Sequence, residues 1–218
     1  MKKLLGLATG LNLFAISAIA AEPSDAVRAI CAEPDVECLF NTHGVVIARP
    51  GVTGVYSQTL QISAARYKEF FGIEALPAAI VMDGVLDQGA KDTVKESYLV
   101  LLPWMTLESQ EERLRAALKA QFKQQMADMP EEDIEKAVNE ALGSSDGSFG
   151  GENRKEIHQG VVSHELGHQF FIHSFWPKEA DQSEKGGFKA DQYGGPAPDW
   201  LDEMAAVLME NDALSETR

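Results

Sequence analysis

The sequence predicts an α+β protein in which a small N-terminal β-sheet is followed by packed helices. Three observations predict it. Short apolar, β-branched runs bounded by turn residues lie before residue 105, and apolar spacing of about four residues takes over after it. The composition is that of a folded chain: 44% of the 218 residues are hydrophobic and 24% charged. This argues against a disordered, polytopic membrane or low-complexity protein, and the length suits one domain with a real core. There are 34 acidic side chains against 19 Lys and Arg, a formal charge of −15. No nucleic-acid partner is expected, because phosphate contacts require a basic face.

Residues 1–20 read as a secretory signal. Lys2 and Lys3 form the positive start, Leu4 to Ile19 is apolar apart from Thr9, Asn12 and Ser17, and Ala18-Ile19-Ala20 fits the small-x-small cleavage rule. The cleavage site and the modest apolar length favour removal over a retained anchor. The expectation is an exported protein, periplasmic or secreted, with no stable membrane insertion after cleavage. Residues 21–218 then form a single domain, with a β-rich half over 21–105 and a helical half over 106–218. Cys31 and Cys38, the only two cysteines, predict one small disulfide loop in an oxidising compartment.

Along the chain, residues 24–31 predict a short helix. Gly44 to Ala48 predicts a strand stopped by Pro50-Gly51, with Gly54 to Gln61 as its hairpin partner. Ser63 to Phe71 predicts a helix ended by Gly72. Ala78 to Met82 and Ser97 to Leu102 predict two further strands, the second closed by Pro103 and serving as an edge. Thr106 caps the next helix, whose Leu114, Leu118, Phe122 and Met126 form an apolar face. Pro130 starts another, with Ile134, Ala137, Val138, Ala141 and Leu142 on one side. A third runs from about Arg154 to His173, and a last one starts near Asp199 or Trp200.

The third of these helices carries the chemistry. His164-Glu165-Leu166-Gly167-His168 is H-E-x-x-H. Positions i and i+4 lie one turn apart on one face, so both imidazoles reach a single metal ion and the intervening Glu reaches a water beside it. Neutral imidazole suits zinc, which then needs a third protein ligand. Ile157, Val161, His164, His168 and Ile172 share one stripe, so the histidine pair points toward a buried face. Gly160 and Gly167 each cost about 1 kcal/mol in a helix interior, which predicts close approach of another element there.

The third ligand is expected further along, where Glu203 sits on the first turn of the last helix in Pro198-Asp199-Trp200-Leu201-Asp202-Glu203-Met204-Ala205. With H-E-x-x-H, this segment resembles the gluzincin metallopeptidases, the thermolysin and aminopeptidase superfamily, whose third ligand lies in a P-x-W-x-x-E-G-x-A segment. The resemblance covers roughly residues 150–210 and, more weakly, 64–82. It implies a zincin-like fold, Zn²⁺ held by His164, His168 and Glu203, and Glu165 as the general base. Three departures stand out. Met204 replaces the family's Gly. Val207 occupies the position, four after the ligand Glu, where many gluzincins place a carboxylate that orients the first His. The gap from His168 to Glu203 is long, and the chain ends 15 residues after Glu203, short of the usual C-terminal domain.

A metzincin would need Gly at 171 and His at 174, where Phe171 and Ser174 stand. His173 gives a spacing similar to CAAX-processing proteases, but their Asp four after the ligand Glu is again Val207. His173 lies roughly 140° round the helix from His168 and reads as a helix-end residue. His158 reads as a surface residue off the ligand stripe. Tyr193 is a candidate donor to a tetrahedral oxyanion. Gly150-Gly151-Glu152-Asn153 only weakly resembles the substrate strand of aminopeptidases, and Ser97 to Leu102 is the better edge for a peptide. The expected function is zinc-dependent hydrolysis of peptide or protein substrates. The alternative is a zincin fold kept as a catalytically weak or inactive binding or inhibitory module in the cell envelope.

Overall fold

The computed structural model describes residues 22–126, 129–144, 153–175 and 199–217. The leader-like residues 1–20 lie outside them, as do Tyr193 and Gly150 to Glu152. A short helix α1 (Asp25–Ile30) precedes β1 (Glu37–Asn41) and β2 (Gly44–Ala48), which form an antiparallel hairpin. The Cys31–Cys38 disulfide ties the end of α1 to β1 across Cα atoms 5.5 Å apart. β3 (Ala78–Met82) and β4 (Val100–Trp104) add in parallel, so the sheet order is β1-β2-β3-β4. Pro103 lies inside β4. An edge strand tolerates it because its outer side needs no ladder donor.

Helices separate the parallel strands, as parallel connections require. α2 (Thr53–Phe71) joins β2 to β3, and α3 (Gln88–Ser97) joins β3 to β4. The hairpin partner of β2 is therefore β1, and the stretch Gly54 to Gln61, expected as a strand, is the first half of α2. Tyr56, Leu60, Ala64 and Tyr67 recur at helical steps and are all buried, a stripe invisible within the eight residues taken alone. Ser97 ends α3, so the strand expected over 97–102 begins three residues later. Val94 and Tyr98 turn α3 onto the sheet.

β2 and β3 are buried on both faces. On one side Val46, Ala48, Ile80 and Met82 meet α2. On the other, Val45, Ile47, Ala79 and Val81 meet Val27 of α1 and Val94 of α3. α4 (Leu107–Gln125) and α5 (Glu131–Ser144) form a helical pair with its own apolar cluster, in which Leu114, Leu118 and Phe122 cover Ile134, Val138 and Leu142. Thr106 caps α4 by accepting from the Ser109 N–H at 3.1 Å. The whole is mixed α and β, with a four-stranded sheet and mostly helices. No described helix is long and apolar enough to cross a membrane.

α6 (Arg154–Phe175) organises the second half. Val162, Leu166 and Phe170 turn one face to the sheet–α2 core. Three polar pairs align it with α2: Tyr56 with His158 at 3.0 Å, Ser63 with Ser163 at 3.0 Å, and Tyr67 donating to the Phe170 carbonyl at 3.2 Å. The near-constant offset between partners means that the two helices run parallel. A second face of α6 receives α7 (Asp199–Met209) and the short α8 (Asp212–Ser215). Here the two glycines are needed. A Cβ at Gly167 would lie 2.8 Å from the Ala206 Cα, and one at Gly160 would lie 2.4 Å from the Asn211 side chain and 2.6 Å from the Leu214 Cβ. α7 descends as α6 rises, so the pair is antiparallel.

Gly167→Leu should gain roughly 1 kcal/mol of helix propensity and yet lower stability in urea unfolding by about 1–3 kcal/mol, the usual cost of overpacking. A variant as stable as the parent would contradict the contact.

Candidate metal centre

The α6–α7 contact brings the sequence-expected ligands together. Nε2 of His164 and Nε2 of His168 lie 3.2 Å apart. A Glu203 carboxylate oxygen is 3.9 Å from Nε2 of His164, and the other is 3.6 Å from Nε2 of His168. One ligand atom from each residue falls within 4.8 Å of the others. A tetrahedral ion with ligand bonds of about 2.0–2.1 Å has edges of about 3.4 Å, so the group could hold a metal ion with only small adjustment of Glu203. His164 and His168 keep 12% and 5% of their side-chain surface, against 42% for Glu203. The histidines form the floor of the site and the glutamate its open side.

The other nitrogens of the two rings face carboxylates. Nδ1 of His164 lies 2.8 Å from Oε1 of Glu210, whose side chain is fully buried. Nδ1 of His168 lies 3.0 Å from Oδ2 of Asp202. An ionised carboxylate only accepts, so a neutral ring facing one carries its proton on Nδ1 and is left with an Nε2 lone pair. At 3.2 Å a proton on one Nε2 or a metal ion shared by both would satisfy the pair. This is the arrangement in which outer carboxylates fix the tautomer of metal-binding histidines. Burial by itself lowers the pKa of His168, but the Asp202 hydrogen bond and the charges of Asp202, Glu165 and Glu203 outweigh it and raise the pKa from its ordinary value.

All three carboxylates come from α7 and its C-terminal end. Glu203 and Glu210 are seven residues apart, two turns, and so share one stripe. Glu203 meets the Nε2 side of His164 and Glu210 the Nδ1 side. Arg66 of α2 donates to the main-chain carbonyl of Glu210 and, at 3.4 Å, to that of Met209, holding the helix end in place. Val207 had left the orienting carboxylate of His164 without a candidate. Glu210, one turn later, lies against Nδ1 of His164, and Asp202 against Nδ1 of His168. The signal available for Glu210 was its two-turn spacing from Glu203, and the adjacent Asp202 had none of its own.

Glu165 is half-buried on α6 beside the histidines. His173 lies in the last turn of α6. His158 differs from expectation, being 8% exposed. Its Nε2 accepts from the Trp104 indole N–H at 3.2 Å and lies 3.0 Å from the Tyr56 hydroxyl. Because the indole only donates, this ring is neutral with its proton on Nδ1, and burial pushes its pKa below the usual histidine value. Burial also pushes the Tyr56 phenol up to about 12. Comparison with protein-family models, curated proteins and solved structures finds no match to this chain, so the geometry itself carries the functional argument.

Glu210→Gln should weaken metal binding by about 10–100-fold, read by competition with a chromophoric chelator, while the circular dichroism of the fold is kept. Parental affinity would refute the orienting role. A separate outcome concerns His158. Its depressed pKa contributes stability that is present above about pH 6.5, the unfolded value, and is lost as pH falls through the folded value. His158→Gln, whose amide oxygen still accepts from Trp104, should flatten the acid-side slope of urea midpoint against pH relative to the parent.

Proposed function

We propose that the chain is an exported zinc-dependent peptidase of the gluzincin kind, with His164, His168 and Glu203 as the ligands. The observation that carries this reading is the pair of Nε2 atoms 3.2 Å apart, each ring backed by a carboxylate on Nδ1, beside a glutamate free of that ligand set. A purely structural site has no use for Glu165. Two imidazoles and one carboxylate match the donor preference of zinc and leave a fourth position for water. The Cys31–Cys38 disulfide and the leader-like residues 1–20 support export.

Bound zinc would supply Lewis acidity and a more acidic water. The chain's own groups do the rest. Glu203, the most exposed ligand, leaves one side of the site open for a carbonyl. Glu165, following the first ligand, is placed to take a proton from the attacking water and return it to the leaving amine. With metal bound, Glu210 and Asp202, 2.8 and 3.0 Å from the two Nδ1 atoms, would favour the tautomer that directs both Nε2 lone pairs into the site. Their negative charge also makes the imidazoles better donors. The catalytically silent zincin-fold module is the competing outcome.

Glu165→Gln should keep stoichiometric zinc and lose peptide cleavage by at least about 10²-fold, the low end for removing a general base. The measurement pairs metal analysis with product detection from a mixed peptide library. Full activity in the variant would overturn the mechanism, and zinc with no cleavage by the parent would favour the silent module.

A further inference from the structure

A cavity of about 360 Å³ lies away from the metal ligands, where the first turns of α2, α4 and α6 meet. Its volume is within the range of small-ligand sites. The three helices have 19, 19 and 22 residues, so the positive ends of three full dipoles adjoin one space. Val52, which precedes α2, makes no side-chain cap, so main-chain N–H groups of that first turn stay available to a ligand. Glu37 accepts from the Gly51 N–H and the Thr53 hydroxyl, which are not among them.

Two further observations do not depend on the helix ends. His158 lines the same cavity and is 8% exposed. Trp104 and Tyr56 both meet its Nε2, and among the described residues nothing accepts from its Nδ1–H. A nearly buried ring held in one orientation thus has one donor left to offer, and a carboxylate oxygen fits it. Lys155 and Glu108 also line the cavity; both are exposed, and neither forms an ion pair with a described residue. Burial lowers the His158 pKa and the charge of Glu108 opposes it, so this carboxylate lies within electrostatic reach of the ring. Glu108 would repel a plain anion, whereas a ligand carrying a carboxylate and an ammonium group together meets both charges. Val52, Val55 and Leu107 add apolar surface, and Val55 keeps 41% of its own exposed.

We propose that this cavity binds a free α-amino acid with an apolar side chain. Its carboxylate lies toward Lys155, the His158 Nδ1–H and the start of α2, and its ammonium group toward Glu108. The inference does not depend on the peptidase reading, because binding here requires neither metal nor turnover. Gly54, also in the lining, supplies a blocking variant, because a Cβ added there meets no atom within 4 Å.

The full-length protein is titrated with L-leucine by calorimetry, and by NMR of the His158 ring and the Trp104 indole N–H. Saturable binding that shifts both signals is expected. N-acetyl-leucine lacks the ammonium charge and leucinamide the carboxylate, and each should bind at least about tenfold more weakly. Glycine should do the same for want of an apolar side chain. Gly54→Leu should weaken leucine at least about tenfold, and Lys155→Gln and Glu108→Gln about threefold each, the scale of exposed charge pairs. No saturable binding of leucine would overturn the proposal. So would equal binding of either blocked probe, with N-acetyl-leucine then marking a plain anion site. Leucine held elsewhere, on a bound metal ion for example, would leave the His158 signals unmoved and its affinity unchanged in all three variants, and that result would overturn it as well.

Discussion

The close contact between α6 and α7 is the constraint on which the site depends. The two histidines reside on α6, and Asp202, Glu203 and Glu210, which face their ring nitrogens, reside on α7 or the residue that follows it. Gly167, with Ala205 and Ala206 opposite, lets the helices approach until the Gly167 backbone touches the Ala206 backbone. A side chain at 167 would meet the Ala206 backbone and the Met209 side chain and push the two helices apart. Gly160 repeats the arrangement at the other end, where Asn211 and Leu214 dock. The propensity lost at two glycines is offset by the buried surface and the electrostatic pairs that the close approach permits.

The electrostatics follow from that packing. Four carboxylates, Glu165, Asp202, Glu203 and Glu210, surround two imidazoles within one small region. Such a cluster is strongly unfavourable in a partly dry site unless positive charge is present. Arg66 acts on the carbonyls at the end of α7, and a metal ion at His164, His168 and Glu203 would add positive charge within the cluster. A bound divalent ion would therefore also stabilise the fold, because it binds the assembled pair of helices and not the separated ones.

Much of this was legible in the sequence. Helices α4, α5, α6 and α7, the strands β2 and β3, the disulfide pair and the two histidines follow from local signals: caps, apolar periods, cysteine count and the H-E-x-x-H spacing. Glu203 was singled out by the resemblance of its segment to a known metallopeptidase pattern. The misplaced elements lie where short windows are ambiguous. Val55, Tyr56 and Thr59 favour a strand locally, but Tyr56, Leu60, Ala64 and Tyr67 bury one helical stripe against the sheet. α3 has few apolar residues, and Val94 and Tyr98 suffice to dock it. His158 looked like a surface residue because its partners, Tyr56 and Trp104, are far away in sequence.

The sequence by itself determined the chemistry of the donors: two imidazoles one turn apart, a carboxylate between them, and a helix carrying Glu203 downstream. The histidine pair and the carboxylate between them need only the geometry of a single helix. Tertiary structure decided which carboxylates complete the arrangement. Glu210 and Asp202 face His164 and His168 only because α7 runs antiparallel to α6 at backbone contact, and no spacing within one segment encodes the register between two helices. The same holds for the buried Tyr56–His158–Trp104 group, which three separate elements assemble. Local periodicity fixes which side chains share a face, and only packing fixes what that face meets.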